Sequence, residues 1–119
     1  MVTDRSRRSA ERRGHVAEYL AAVFLLRKGH RILALRYKTR SGEIDLIARK
    51  GDLAVFVEVK ARVGEREAVD AVSATAQKRI RAASDIWLSR RPDAARLSQR
   101  YDVSAVLPGR LPRHFRDAC

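Results

Sequence analysis

Cysteine is almost absent from this chain. With Cys119 alone, no intrachain disulfide can form, and no cysteine–histidine spacing suited to zinc exists around the scattered His15, His30 and His114. Long apolar runs are missing as well. None approaches the ~20 residues needed to cross a bilayer, so no membrane span is expected. The opening MVTDRSRRSAERR has no apolar signal core, which predicts a cytoplasmic protein. Aromatic residues make up 6% of the 119 positions while apolar residues make up 45%, so the core has to be built from Leu, Ile, Val and Ala. Acid is scarce: 14 Asp and Glu stand against 26 Lys and Arg, 21 of them Arg. A formal charge of +12 on so short a chain predicts a polyanionic partner, nucleic acid above all. Arginine suits phosphate because its planar fork donates two parallel hydrogen bonds.

The length allows one core. Residues 1–8 read as a flexible basic N-terminus and 9–119 as a single domain. A helix is expected from Ser9 to Lys28, stopped by Gly29, with Val16, Leu20, Val23, Phe24 and Arg27 on one stripe. Glu18 is the only charged residue between Val16 and Leu26. It either emerges on a solvated side or points into a polar cleft. His30–Tyr37 reads as a strand, Lys38–Gly42 as a basic turn, and Ala68–Ser89 as a long helix with Val69, Val72, Ala76, Ile80, Ala83 and Trp87 on its inner face. Asp93–Gln99 has room for a helical turn, Tyr101–Leu107 reads as a further strand, and an arginine-rich tail follows. The fold class is α/β, in the order α-β-β-β-α-β, with a mixed sheet and flanking helices.

Gly42–Arg62, GEIDLIARKGDLAVFVEVKAR, carries the chemistry. Two β-branched-rich runs flank Lys50-Gly51-Asp52, the signature of a hairpin whose glycine supplies the positive φ of its turn. Pairing Lys50 with Leu53 sets Asp45 opposite Glu58 and Glu43 opposite Lys60. All four then share one face, because strand side chains alternate with period two. Ile44, Leu46, Val55, Val57 and Val59 form the opposite, core face. Like charges directly opposed destabilise a strand pair, so Asp45 against Glu58 calls for a bridging cation.

The element order, with an Asp followed about a dozen residues later by Glu-x-Lys, resembles the core of the PD-(D/E)XK nuclease superfamily. The chain is similar to one branch of it, the small bacterial YraN-like proteins, themselves similar to archaeal Holliday junction resolvases. The matching stretches are Ala17-Glu18, GEIDLIA at 42–48, FVEVKAR at 56–62, Gln77-Lys78 and Arg100-Tyr101-Asp102-Val103. Ile44 stands where the superfamily often has its proline. The resemblance implies Mg²⁺, with Mn²⁺ as a substitute, held by Asp45, Glu58 and the backbone carbonyl of Val59. It makes Lys60 the residue that orients water and offsets phosphate charge, Glu18 the completion of the acidic pocket, and Gln77 its support from the second helix. The implied activity is a metal-dependent DNA endonuclease, structure-selective for branched or junction DNA. The resolvases act as dimers, so a homodimer is among the expectations. The alternatives are a non-catalytic nucleic-acid-binding module of the same fold, and a small basic protein bound to ribosomal RNA or a protein complex.

Overall fold

The computed structural model describes residues 4–62 and 64–119; of residues 4–13 only the backbone is described. Helix α1 spans Asp4–Arg27, followed by β1 (Arg31–Thr39), β2 (Gly42–Lys50) and β3 (Leu53–Ala61). Helices α2 (Glu65–Asp70) and α3 (Ala74–Ser89), a short 3₁₀ turn (Ala94–Arg96), β4 (Ser98–Val106) and β5 (Arg113–Phe115) complete the chain. The five strands lie in sequence order in one sheet. β1, β2 and β3 form an antiparallel meander, β4 joins β3 in parallel, and β5 pairs antiparallel with β4. A parallel neighbour needs a crossover connection, and α2 and α3 supply it. This is the expected mixed α/β sheet with flanking helices, compatible with an α-β-β-β-α-β core, with β5 added at its edge.

The hairpin forms as its sequence dictates. Gly51 takes φ +60 and Lys50 pairs with Leu53. Both faces of the sheet are buried, however, rather than one. Leu46, Ala48, Val55 and Val57 pack under α1, while Ile47, Ala54 and Phe56 pack under α3. Phe56 anchors that second layer, edge-on to Trp87 at 5.7 Å and stacked on Tyr101 at 5.3 Å. Ile44 also belongs to the α3 layer, although Leu46, two residues on, faces α1. The β1–β2 ladder explains this. It pairs Leu35 with Leu46 and Tyr37 with Ile44 but skips Arg36 and Asp45, and Arg36 adopts φ +50.

Other expectations need correction. Helix α1 begins at Asp4 rather than Ser9, and the flexible terminus falls partly on residues 1–3, outside the described residues. The long second helix is two helices, broken at Ala71–Ser73 because the Ser73 hydroxyl caps α3, accepting the Ala76 N–H at 3.1 Å. The stripe of larger apolar side chains on α1 is not the one that meets the sheet. Ala17, Ala21, Ala22 and Leu25 face the sheet, while Val16, Tyr19, Leu20, Val23 and Leu26 are each 47–54% exposed. Alanines let the helix approach the sheet closely, and the larger side chains are left outside.

Gly42 is fixed by a close approach. A Cβ there would lie 2.2 Å from the carbonyl oxygen of Arg79, where α3 crosses the start of β2. Backbone cannot yield as a side-chain tip would. We expect Gly42→Ala to cost about 1–3 kcal/mol, the usual toll of overpacking. Urea unfolding measures this, and an unchanged midpoint would refute the close contact.

Candidate functional site

The β2–β3 ladder stops at Leu46–Val57, one pair short of Asp45 and Glu58. Beyond it the strands part, and the Asp45 side chain takes up the freed backbone donor: its Oδ2 accepts the Val59 N–H at 2.8 Å. The expected register thus places Asp45 beside Glu58, in a wedge between two strands rather than on a flat ladder. The two carboxyls are close enough for each to perturb the other's protonation. Lys60 closes the group, with Nζ 3.2 Å from Glu58 Oε1, and the side chains of Glu58 and Lys60 are only 13% and 22% exposed.

Electrostatics define the cluster. Burial pushes Glu58 up to about 7, the charge of Asp45 adds to the rise, and Lys60 opposes it. Asp45 is also pushed up by burial, against the pull of the Val59 N–H, Glu58 and Lys60. Glu18 reaches in from α1, its side chain 13% exposed and Oε2 3.7 Å from Arg36 Nε. Burial and then Asp45 raise Glu18 to about 7, with Arg36 opposing. Of the two outcomes open to Glu18, the structure shows the polar cleft, where it shares a wall with Gly14, His15, Arg36, Lys38 and Glu43.

The sequence-derived residues do not all converge. Glu18, Asp45, Glu58 and Lys60 form one electrostatic group. Gln77, in the first turn of α3, instead turns its amide toward the Val72 carbonyl at 3.4 Å. Glu43 is exposed and lines the rims of two clefts. Among the described residues, no three His, Cys, Asp or Glu side chains gather as a complete metal cage. Two adjacent carboxyls nevertheless fit Mg²⁺, which binds through one or two carboxylates and keeps waters and substrate phosphate for its other positions. Burial without sufficient positive compensation is what a cation would relieve.

Sequence reasoning missed Lys38 and Arg79. A cleft of about 280 Å³ opens between the β1–β2 turn and α3, and both line it together with Thr39, Gly42, Glu43 and Glu58. The only signal in the sequence was the basic character of Lys38–Gly42; the contribution of α3 comes from the fold.

A second polar group lies one strand away. Asp102 on β4 is fully buried and receives the Arg100 fork at 2.9–3.1 Å, His114 Nε2 at 2.6 Å and the Asp117 N–H at 2.8 Å. Burial alone would raise its carboxyl, but these donors overcome that and hold it at about 2. It pins β5 and the following residues to β4.

The fold and site therefore define a basic α/β protein with a recessed carboxylate–lysine cluster where two central strands separate. Residues 17–106 match the uncharacterised protein family UPF0102, and the chain belongs to that family. It is 75% identical to UPF0102 protein RL0336 of Rhizobium johnstonii over 112 residues, covering 94% of this chain and 92% of that protein. It is 67% identical to UPF0102 protein Atu0303 of Agrobacterium fabrum over the same shares. Against UPF0102 protein R00337 of Rhizobium meliloti the identity is 62%, over 97% of this chain and 94% of that protein. No described helix is long and apolar enough to cross a membrane.

Proposed function

We propose that this chain is a divalent-metal-dependent DNA endonuclease of the PD-(D/E)XK type, hydrolysing phosphodiester bonds in branched or junction DNA. The observation that carries the reading is the half-buried pair Asp45 and Glu58, with Lys60 Nζ 3.2 Å from Glu58 Oε1, in a chain of net charge +12. Asp45 and Glu58 would hold Mg²⁺ or Mn²⁺, with the Val59 carbonyl as a third ligand. Such an ion supplies Lewis acidity and lowers the pKa of bound water.

The chain's own groups do the rest. The Val59 N–H fixes the Asp45 carboxylate through Oδ2. Lys60 is a compact ammonium that orients water and offsets the charge gathering on phosphate. Glu18, held near neutrality, accepts or returns a proton at the rim. The arginine-rich surface grips the backbone without regard to sequence.

Cleavage of labelled four-way junction, linear duplex and single strand in Mg²⁺ or Mn²⁺ tests the reading, with Asp45→Ala and Glu58→Ala in parallel. The expected result is metal-dependent cutting that both substitutions abolish. If nothing is cut and all three proteins bind DNA equally well, the chain is a non-catalytic binding module.

A homodimer belongs to this reading. Val16, Tyr19, Leu20, Val23 and Leu26 recur at helical spacing on the outer face of α1. Contiguous exposed apolar stripes of this kind mark interaction surfaces, and two of them facing each other about a two-fold axis would cover one another. Light scattering at tens of micromolar should give twice the monomer mass, and Leu20→Glu with Val23→Glu should halve it while leaving circular dichroism unchanged. A wild-type monomer at that concentration would remove the dimer.

A further inference from the structure

Three recesses meet at one residue. Lys38 lines the 280 Å³ cleft beside Glu58, a second of about 630 Å³ along α3, and a third of about 520 Å³ reaching α1. The first two also share Thr39, and the first and third share Glu43, so they form one trough around the β1–β2 turn.

Its charge is unevenly distributed. The parts next to the site contain Glu18, Glu43 and Glu58. The arm along α3 contains no carboxylate: its lining is Lys38, Thr39, Arg40, Ile86, Ser89 and Arg90. Arg79 stands where the arm leaves the site. Arg79 and Arg90 are both exposed, and Arg90 donates from its guanidinium to the Tyr37 hydroxyl at 3.2 Å while remaining open to solvent. Eleven residues of helix separate them, about 16 Å of groove at 1.5 Å per residue. That is enough for more than one consecutive phosphate of a strand.

We infer that the α3 arm is the track for an unpaired polynucleotide strand, with Lys38 holding the phosphate beside the reacting one and Arg79, Arg40 and Arg90 taking those beyond. This rests on Asp45 and Glu58 being the reacting centre. Three features favour a single strand read through its backbone. The arm is walled on one side by α3 and on the other by the β1–β2 turn. Its cations suit phosphate, and Thr39 and Ser89 add hydroxyl donors. Its lining holds no carboxylate to repel a phosphate backbone, and the Tyr37 hydroxyl bonded to Arg90 adds a further polar group beside it. Lys38 is a positioning residue in this arrangement, since it places the strand rather than touching the ligand carboxylates.

The test is binding of fluorescent single-stranded and duplex oligonucleotides in EDTA across a salt series. Lys38→Ala, Arg90→Ala and Asp45→Asn are compared with Arg31→Ala, an exposed arginine at the other end of β1. Lys38→Ala and Arg90→Ala should each weaken single-strand binding about tenfold and flatten the log K against log salt slope by roughly 0.7, one phosphate contact each. Arg31→Ala should change affinity less than about twofold, and Asp45→Asn should still bind. Equal losses from Arg31→Ala and Lys38→Ala would mean diffuse charge and overturn the track. So would tighter binding of duplex with the same Lys38 dependence. If wild type binds as expected but cuts nothing in metal, the nuclease reading fails while the track stands. If it cuts and the Lys38 and Arg90 variants bind and cut as wild type does, the track fails alone.

Discussion

Glu58→Gln is expected to abolish metal-dependent cleavage and, at the same time, to stabilise the metal-free protein. The loss of rate should be at least about a thousandfold, because several kcal/mol of charge stabilisation goes with the metal and each 1.4 kcal/mol is a factor of ten. The gain in stability follows from the wedge between β2 and β3. Two partly desolvated carboxyls lie together there, and among the described residues Lys60 is the one cation whose ion pair reaches Glu58. Glutamine keeps the shape and removes the repulsion, a gain of about 1 kcal/mol at pH 8. Thermal unfolding with and without Mg²⁺ measures both effects. Wild type should gain stability as metal is added, by mass action, and the variant should not. A variant that is less stable than wild type without metal would mean that the carboxylates serve packing rather than a cation.

Asp102→Ala is expected to be the most damaging single change to stability, at about 3–5 kcal/mol. It removes the buried charge that Arg100 and His114 both contact, and leaves them facing one another without it. Urea unfolding gives the size of the effect, and faster amide exchange over residues 113–119 gives its place. A loss below about 1 kcal/mol would show that the network is not holding β5. The pH dependence has a definite sign. The folded carboxyl sits at about 2, below its unfolded value near 3.9, so Asp102 stabilises the fold fully above pH 4. That contribution, about 2 kcal/mol, fades as pH falls from 4 to 2. In Asp102→Ala the acid limb of the stability curve should be shallower by that amount.

The hairpin and its carboxylates were legible because local rules decide them. Gly51 at the turn, period-two alternation and a one-to-one register bring Asp45 to Glu58 without help from elsewhere. The face of α1 was not legible. Two apolar stripes lie on that helix, one of alanines and one of larger side chains, and both have helical spacing. Which one meets the sheet depends on how closely the sheet lets the helix approach. The break at Ser73 hid among good helix formers. β5 hid in an arginine-rich tail, since its three residues pair through the hold of Asp102 rather than through any strand propensity of their own. Lys38 and Arg79 were present in the sequence as charges only. Their meeting is made by α3 crossing over Gly42, a contact between distant parts of the chain that no local pattern encodes.

The sheet order carries a consequence for how the chain folds. β1, β2 and β3 follow one another in sequence and pair with their neighbours, so the wedge that holds Asp45, Glu58 and Lys60 arises from short loops closed early. β4 arrives only after the α2–α3 crossover has been laid down, at the entropic disadvantage of a long-range parallel pairing. The strands carrying Asp45, Glu58 and Lys60 can therefore pair before the layer that buries Phe56 is complete. During that interval the outer edge of β3 is open to pairing with another chain, which the net charge of +12 opposes by mutual repulsion.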